Sequence, residues 1–235
     1  MILSGHQPSY VPWLGFFEKL MNCDVFVYHD TAQFEKSGFL HRNRIKNANG
    51  PIWLTVPVQT AGYMHRPLNS IAIHQDTHWR KTHLKSIQIS YARSRFFERY
   101  YPFFQQFYSI EWTNLVEMNV YFVEFVIKEL ELSTQVEFVS KHPEIAGYKS
   151  DFILSMCKHF NADCCYTGIN GMSYMNTSDF KKAGISVEFQ DFHYPVYDQL
   201  FGEFIPNLSI IDVLFNCGPE LTRQIISEGR GVVHS

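Results

Sequence analysis

The chain reads as an α/β protein, a mostly parallel sheet flanked by helices, and three observations predict it. A strand, a polar turn, a helix and a second strand follow one another up to Tyr28, which is a βαβ unit. A second strand–helix alternation runs from Cys164 to Phe189. Between them, an alternating β-hairpin at about 39-58 and a helical insertion at about 94-132 interrupt the pattern without replacing it. The expected organisation is a single α/β domain over 1-235, its insertion beginning at about 76 if the preceding helix is counted.

Met1-Ile2-Leu3 starts the first strand, which ends in Gly5-His6-Gln7-Pro8, so the chain turns just as polar side chains appear. Pro12 suits the first turn of a helix, where a missing N–H costs nothing. Trp13, Phe16, Phe17 and Leu20 then recur at helical spacing, and Asn22-Cys23-Asp24 breaks the helix before the strand Val25 to Tyr28. Beyond a polar loop, Phe39 to Asn47 and Ile52 to Val58 flank the turn signal Asn49-Gly50. A two-residue turn there pairs Ile45 with Leu54, Arg44 with Thr55 and Lys46 with Trp53. A longer loop would change the pairing but not the alternation. Ile52, Leu54, Val56 and Val58 mark a buried face, while Arg42, Arg44 and Lys46 share the other with Trp53 and Thr55.

Thr60 to Pro67 reads as a loop, Ser70 to Ile73 as a short strand, and Asp76 or Thr77 as the cap of a helix. That helix turns Leu84, Ile87 and Tyr91 inward. Ser94 to Leu132 is mostly helical, with Pro102 interrupting it, and Val136 to Val139 is a strand. Ser150 is read as the cap of a helix reaching Phe160, and Thr177 to Ala183 is helical before the strand Ser186 to Phe189. A short helix capped by Ser209, with Asp212 in a capping-box-like position, closes the pattern.

Composition narrows the function. Of 235 residues, 46% are hydrophobic and only 18% charged, which indicates a sizeable core rather than disorder. A net charge of −3 argues against DNA or an acidic membrane surface as partner. No apolar run is long enough to span a membrane and Met1-Ile2-Leu3 is no signal peptide, so a cytoplasmic location is expected. The cysteines Cys23, Cys157, Cys164, Cys165 and Cys217 form no C-x-x-C and are expected as free thiols. Cys157 and His159 lack a second spaced pair, so no metal is expected.

Ligands of open parallel sheets sit beyond the carboxyl ends of the strands. His6 and Gln7 follow the first strand and His29 and Asp30 the second, so one rim carries both pairs. His6, whose unperturbed pKa is near ~6.5, and Asp30 are the acid–base candidates. A turn or capping role is the alternative for His6. The three hairpin cations repel one another and match a diphosphate, with Trp53 placed to stack on a base or a guanidinium. Charge balance by neighbouring carboxylates is the alternative. Lys149 and Ser150 open a helix, where anions bind. Gly168 permits close backbone approach or merely a tight turn. His83 reads either as a ligand contact or as a satisfied interface histidine.

His6-Gln7-Pro8, Pro12-Trp13-Leu14-Gly15, Asp30, Gln33-Phe34, Asn43-Arg44-Ile45-Lys46 and Trp53 to Val58 together resemble the WbqC-like family. The likeness continues in Trp79-Arg80-Lys81, Gly147 to Asp151, Ser209 to Asp212 and Leu214-Phe215-Asn216, so it spans nearly the whole chain. Members are associated with O-antigen and other surface-polysaccharide gene clusters. The resemblance implies a glycine transferase acting on the amine of a nucleotide-linked amino sugar. The glycyl donor would be an aminoacyl-tRNA or a carrier thioester, with no cofactor unless ATP activates glycine in place. Gln7, Tyr10, Gln33, Asn43, Thr55, Arg80 and Tyr174 complete the expected substrate contacts. The alternatives are a nucleotide-sugar-binding protein without chemistry, an ATP-dependent amide ligase, or another nucleotide-processing enzyme.

Overall fold

A computed structural model of the chain describes every residue except 60, 61, 63–65, 76, 77 and 235. Strand β1 (Ile2–His6) lies inside a six-stranded sheet, and helix α1 (Leu14–Met21) returns the chain to β2 (Val25–Tyr28). The two strands are parallel, with Leu3 opposite Val25 and His6 opposite Tyr28. Pro12 precedes α1 instead of opening it. Trp13 is the N-cap, and the Pro12 carbonyl is engaged by the N–H of Ile210 at 2.8 Å.

Strands β3 (Arg42–Asn47) and β4 (Gly50–Thr55) form a separate antiparallel hairpin. Arg44 pairs with Trp53 and Ile45 with Ile52, two residues away from the expected register. The cause is an earlier turn: Asn47 Oδ1 accepts the N–H of Asn49 at 2.8 Å, and Gly50, at φ 107°, already pairs with Asn47. A slip of two preserves the faces, so Ile45, Leu54 and Val56 are buried as the alternation requires. Leu68–Ser70 is a 3₁₀ turn, and Ala72 and Ile73 make only isolated bridges, to Asn114 and Val58. Among the described residues, the strand expected there has no continuous partner. The expected cap at Asp76 or Thr77, and most of the loop 60–67, lie outside the described residues.

Helices α2 (His78–Tyr91), α3 (Phe97–Ser109) and α4 (Leu115–Glu129) follow. Pro102 lies within α3 and does not break it. Pro102 and Glu98 are both exposed, so the carbonyl that proline leaves without its N–H partner faces water. The break falls before Asn114, whose Oδ1 caps α4 by accepting from Val116 and Glu117. Strand β5 (Gln135–Phe138) then pairs in parallel with β2. Hairpin and helices thus all belong to one enlarged β2-to-β5 crossover.

Helix α5 (Ser150–His159), strand β6 (Cys164–Gly168), helix α6 (Thr177–Lys182) and strand β7 (Ser186–Gln190) complete the second alternation. Lys149, not Ser150, is the N-cap of α5. The Ser150 hydroxyl instead accepts the N–H of Asn176 at 2.9 Å. Residues 191–209 hold no helix or strand. They nevertheless clasp the N-terminal region: the N–H of Ser209 donates to the Arg44 carbonyl, and Lys46 Nζ donates to Gln199 Oε1 and the Glu203 carbonyl. Helix α7 (Ile210–Glu228), capped by Ser209, is far longer than expected because it continues through a kink at Gly218-Pro219. Strand β8 (Val232–His234) adds an antiparallel edge to β7.

The strand order is β5-β2-β1-β6-β7-β8. One face of the sheet packs Leu3, Val25, Val27, Cys165, Val187 and Phe189 against Met156 and Cys157 of α5 and Phe180 of α6. The other packs Phe26 and Tyr28 against α1 and the larger core of the helices and hairpin. The chain leaves β1 toward β2 and β5 on one side, and β6 and β7 extend the other. The point of reversal is therefore between β1 and β6.

Candidate functional site

A cavity of about 560 Å³ opens at that reversal, beyond the carboxyl ends of β1, β2 and β6. That volume suits a small-molecule site. Gly5 makes the rim tight, because a Cβ there would stand 2.7 Å from the Val27 carbonyl oxygen. Its wall from β1 carries His6 and Gln7, that from β2 Val27 and His29, and that from β6 Tyr166 and Thr167. The loop after β2 adds Gln33 and Glu35, and the segment entering α5 adds Gly147, Tyr148, Lys149 and Phe152. Gly147 adopts φ 114°, and a Cβ on it would lie 2.9 Å from the Phe152 nitrogen, so glycine is required where that wall folds onto the helix.

His6 is packed edge-on against Trp13 and Phe16, at 5.4 and 5.3 Å between ring centroids. Its Nδ1 lies 2.9 Å from the Gln7 carbonyl, which accepts only if Nδ1 carries the proton; Nε2 is then the unprotonated nitrogen. Burial, reinforced by the nearby Lys19 ammonium, lowers its pKa to about 3, well away from the unperturbed value expected from sequence. Lys19 is itself buried, donates to the Gly5 carbonyl at 3.2 Å, and is lowered to about 8 by desolvation. His29 stacks on Phe152 at 4.2 Å and is also lowered, again by burial. The cavity thus presents two uncharged imidazoles at neutral pH beside the side chains of Glu35 and Lys149.

Of the residues singled out from sequence, His6, Gln7, Gln33, Lys149 and Tyr174 come together here. Arg42, Arg44, Trp53 and Thr55 stand outside the cavity on the hairpin. The guanidinium carbons of Arg42 and Arg44 lie 4.7 and 5.7 Å from the centre of the Trp53 ring, which is 47% exposed. Arg42 also donates to the Ser37 carbonyl and Arg44 to that of Asn207. A chain of rings links this platform to the cavity: Trp53 meets Phe39, Phe39 meets Trp13, and Trp13 meets His6.

The other candidates are placed elsewhere. Asp30 is buried outside the cavity, its Oδ1 accepting the N–H of Ser140 at 3.0 Å, because it shares the strand parity of Phe26 and Tyr28 and not that of Val27. His29 has the cavity-facing parity, a signal the alternation already contained. Lys46 shares the cationic face, but the 191–209 segment covers it. Asn43 donates to the Val11 carbonyl, and Arg80 to that of Ile110. Ser150 is bonded to Asn176, and Gly168 pairs with Gln190 in the sheet. The Tyr10 hydroxyl lies between His83 Nδ1, 3.0 Å away, and the Tyr108 hydroxyl, 2.6 Å away, in a buried network.

Burial lowers His83 and His41 to about 4 each, from an ordinary 6.5. The unfolded chain takes up these protons below pH 6.5 and the folded chain does not until near pH 4. Stability is therefore complete above pH 6.5 and falls as the pH drops, by up to about 1.4 kcal/mol per pH unit for each histidine. Glu18 and Asp212, raised by burial, act in the opposite direction. His83→Gln should consequently flatten the decline in urea-unfolding free energy between pH 6.5 and 5 relative to the parent. An unchanged slope would mean that His83 titrates alike in both states.

The model of the WbqC-like protein family matches residues 7–224. The uncharacterized protein Rv1507c of Mycobacterium tuberculosis is 32% identical over 216 residues, 91% of this chain and 93% of that one. No solved structure matches significantly. Among the described residues, no helix is long and apolar enough to cross a membrane.

Proposed function

The chain belongs to the WbqC-like protein family, and from that premise we propose that it transfers an aminoacyl group, glycine by the family's association, to the amine of a nucleotide-linked amino sugar in surface-polysaccharide assembly. The observation that carries the reading is His6, an uncharged imidazole with its Nδ1–H tied to Gln7, in a cavity at the reversal of the sheet. Glu35 supplies a carboxylate to receive the incoming sugar ammonium, and Lys149 a cation for an anionic group of either substrate. The Trp53–Arg42–Arg44 platform suits the base and diphosphate, since guanidinium forks match phosphate oxygens.

In this reaction the deprotonated amine attacks the glycyl carbonyl carbon. The new C–N bond forms as the bond from that carbon to the donor's oxygen or sulfur breaks. One proton must leave the nitrogen, and the departing atom takes one up. Burial holds His6 uncharged with Nε2 free to accept that proton, and a pKa of about 3 makes it a weak base that must hand the proton on at once to the departing atom. The developing oxyanion needs a donor, and Thr167 is among the residues lining the same cavity.

The test is mass spectrometry of a nucleotide amino sugar incubated with protein and either glycyl-tRNA, a glycyl thioester, or glycine with ATP. A mass gain of one glycyl residue with any of the three supports the reading and identifies the donor class. Saturable binding of the sugar with no gain under any condition replaces it with a binding protein. Arg44→Ala should weaken nucleotide-sugar affinity by about 1.5–3 kcal/mol, as expected when a charged hydrogen bond is lost. Titration calorimetry beside a thermal melt checks this, and unchanged affinity would remove the platform from the site.

A further inference from the structure

We propose that His142, Glu144 and His159 form a binding site for one divalent transition-metal ion, Zn²⁺ by their ligand chemistry, which clamps a wall of the cavity. The pair Cys157 and His159 does not suggest it, because Cys157 is wholly buried in the sheet-side core. The partners of His159 come instead from the segment before α5. One ligand atom from each of the three residues lies within 4.8 Å of the other two. Glu144 Oε1 stands 3.1 Å from His159 Nδ1 and 3.9 Å from His142 Nδ1, and the imidazole centroids are 4.7 Å apart. Ligands about 2.0–2.2 Å from a tetrahedral zinc lie roughly 3.3–3.6 Å from one another. Small side-chain rotations therefore close the set, and the exposed side of Glu144 leaves a fourth position to water.

Two features distinguish the cluster from a chance ion pair. His142 offers Nδ1 to the set while its Nε2 lies 3.4 Å from Glu137 Oε2 on β5, the carboxylate–histidine arrangement that orients metal ligands. The backbone also holds the ligands in place. His142 donates to the Val139 carbonyl and Ile145 to that of His142, so His142 and Glu144 sit on a fixed turn, while His159 ends α5. Two imidazoles and a carboxylate favour zinc or cobalt over magnesium and calcium, which prefer oxygen-only sets.

The position gives the ion a consequence. From Glu144 the chain runs back along α5, the N–H of Ala146 bonding Ser155 Oγ, to Gly147, Tyr148 and Lys149 in the cavity wall. A metal at its far end ties that strap to the helix it lies on.

Tag-free protein stripped with a chelator should bind one equivalent of Zn²⁺ by calorimetry, with a higher melting temperature. Co²⁺ should give the intense visible absorption of a tetrahedral site, and Mg²⁺ should neither bind nor compete. His159→Ala and His142→Ala should abolish the cobalt spectrum, and the exposed Glu144→Gln should weaken Zn²⁺ binding at least about tenfold. Glu137→Gln, which touches no metal in this arrangement, should weaken it about 10–100-fold. Absence of saturable Zn²⁺ binding, or binding undiminished in Glu144→Gln and His159→Ala, would overturn the proposal. These readouts need no substrate, so they stand or fall independently of aminoacyl transfer.

Discussion

His6→Asn is expected to lower the single-turnover rate of aminoacyl transfer about 10²–10⁴-fold, the range for losing a positioned acid–base group. Affinity for the nucleotide amino sugar should stay within about threefold, because the loss is confined to the transition state. Asparagine retains a polar side chain of similar reach but offers no nitrogen lone pair in place of Nε2. His6 touches Trp13 and Phe16 as well as the Gln7 carbonyl, so a melt must show that the variant keeps its fold. Comparing single-turnover rate with affinity for the same substrate decides the matter. A variant that binds and reacts like the parent would make His6 a turn residue and pass the proton transfer to His29, the second uncharged imidazole of the cavity.

Asp212→Ala is expected to destabilise the protein by about 2–5 kcal/mol without touching the cavity, because two buried hydroxyls lose their acceptor at about 1–3 kcal/mol each. The carboxylate accepts from the Tyr91 hydroxyl at 2.8 Å and from Tyr197 at 2.9 Å, and all three groups are buried or nearly so. Burial raises its pKa while the two hydroxyls and Lys46 oppose that rise. Alanine leaves both tyrosine hydroxyls without this acceptor, and Lys46 without its carboxylate neighbour. Urea denaturation at pH 7 measures the loss, and Asp212→Asn, which keeps one acceptor oxygen, should cost less. A change below about 1 kcal/mol for the alanine variant would place the strength of this junction in packing, such as the stacking of Tyr91 on Phe215.

The opening βαβ unit and the two faces of the hairpin were legible because period-two and helical spacing report directly on burial. The same rule could have replaced Asp30 by His29, since parity along β2 separates the cavity side from the core side. Long-range facts were less legible. Nothing local in Arg42-Asn43-Arg44-Ile45-Lys46 says that Lys46 will be covered by Gln199 and Glu203 while two arginines stay with Trp53. The depressed pKa of His6 depends on Lys19 and on rings brought over it by the fold. Asp212 was legible as structural, but its carboxylate bonds Tyr91 and Tyr197 and not the backbone of Ser209, which caps the helix without it. The proposed metal site was not legible because His142 and Glu144 meet His159 only once the segment before α5 folds back along that helix.

The clasp made by residues 191–209 bears on how the protein is built on the ribosome. The N-terminal fifth emerges first, yet β1 must find β6 at Cys164 to Tyr166, and the hairpin waits for Ser209 to meet Arg44. Early-made segments therefore remain unfinished through most of translation, exposing an apolar strand and a half-covered hairpin. Contacts so distant in sequence also slow folding, because the connecting chain must be ordered before they form. A nascent chain stalled before residue 209 should stay sensitive to protease at the hairpin, and release of the remaining tail should abolish that sensitivity. Segments made later, β6 and the clasp, thus complete the strand and hairpin made before them.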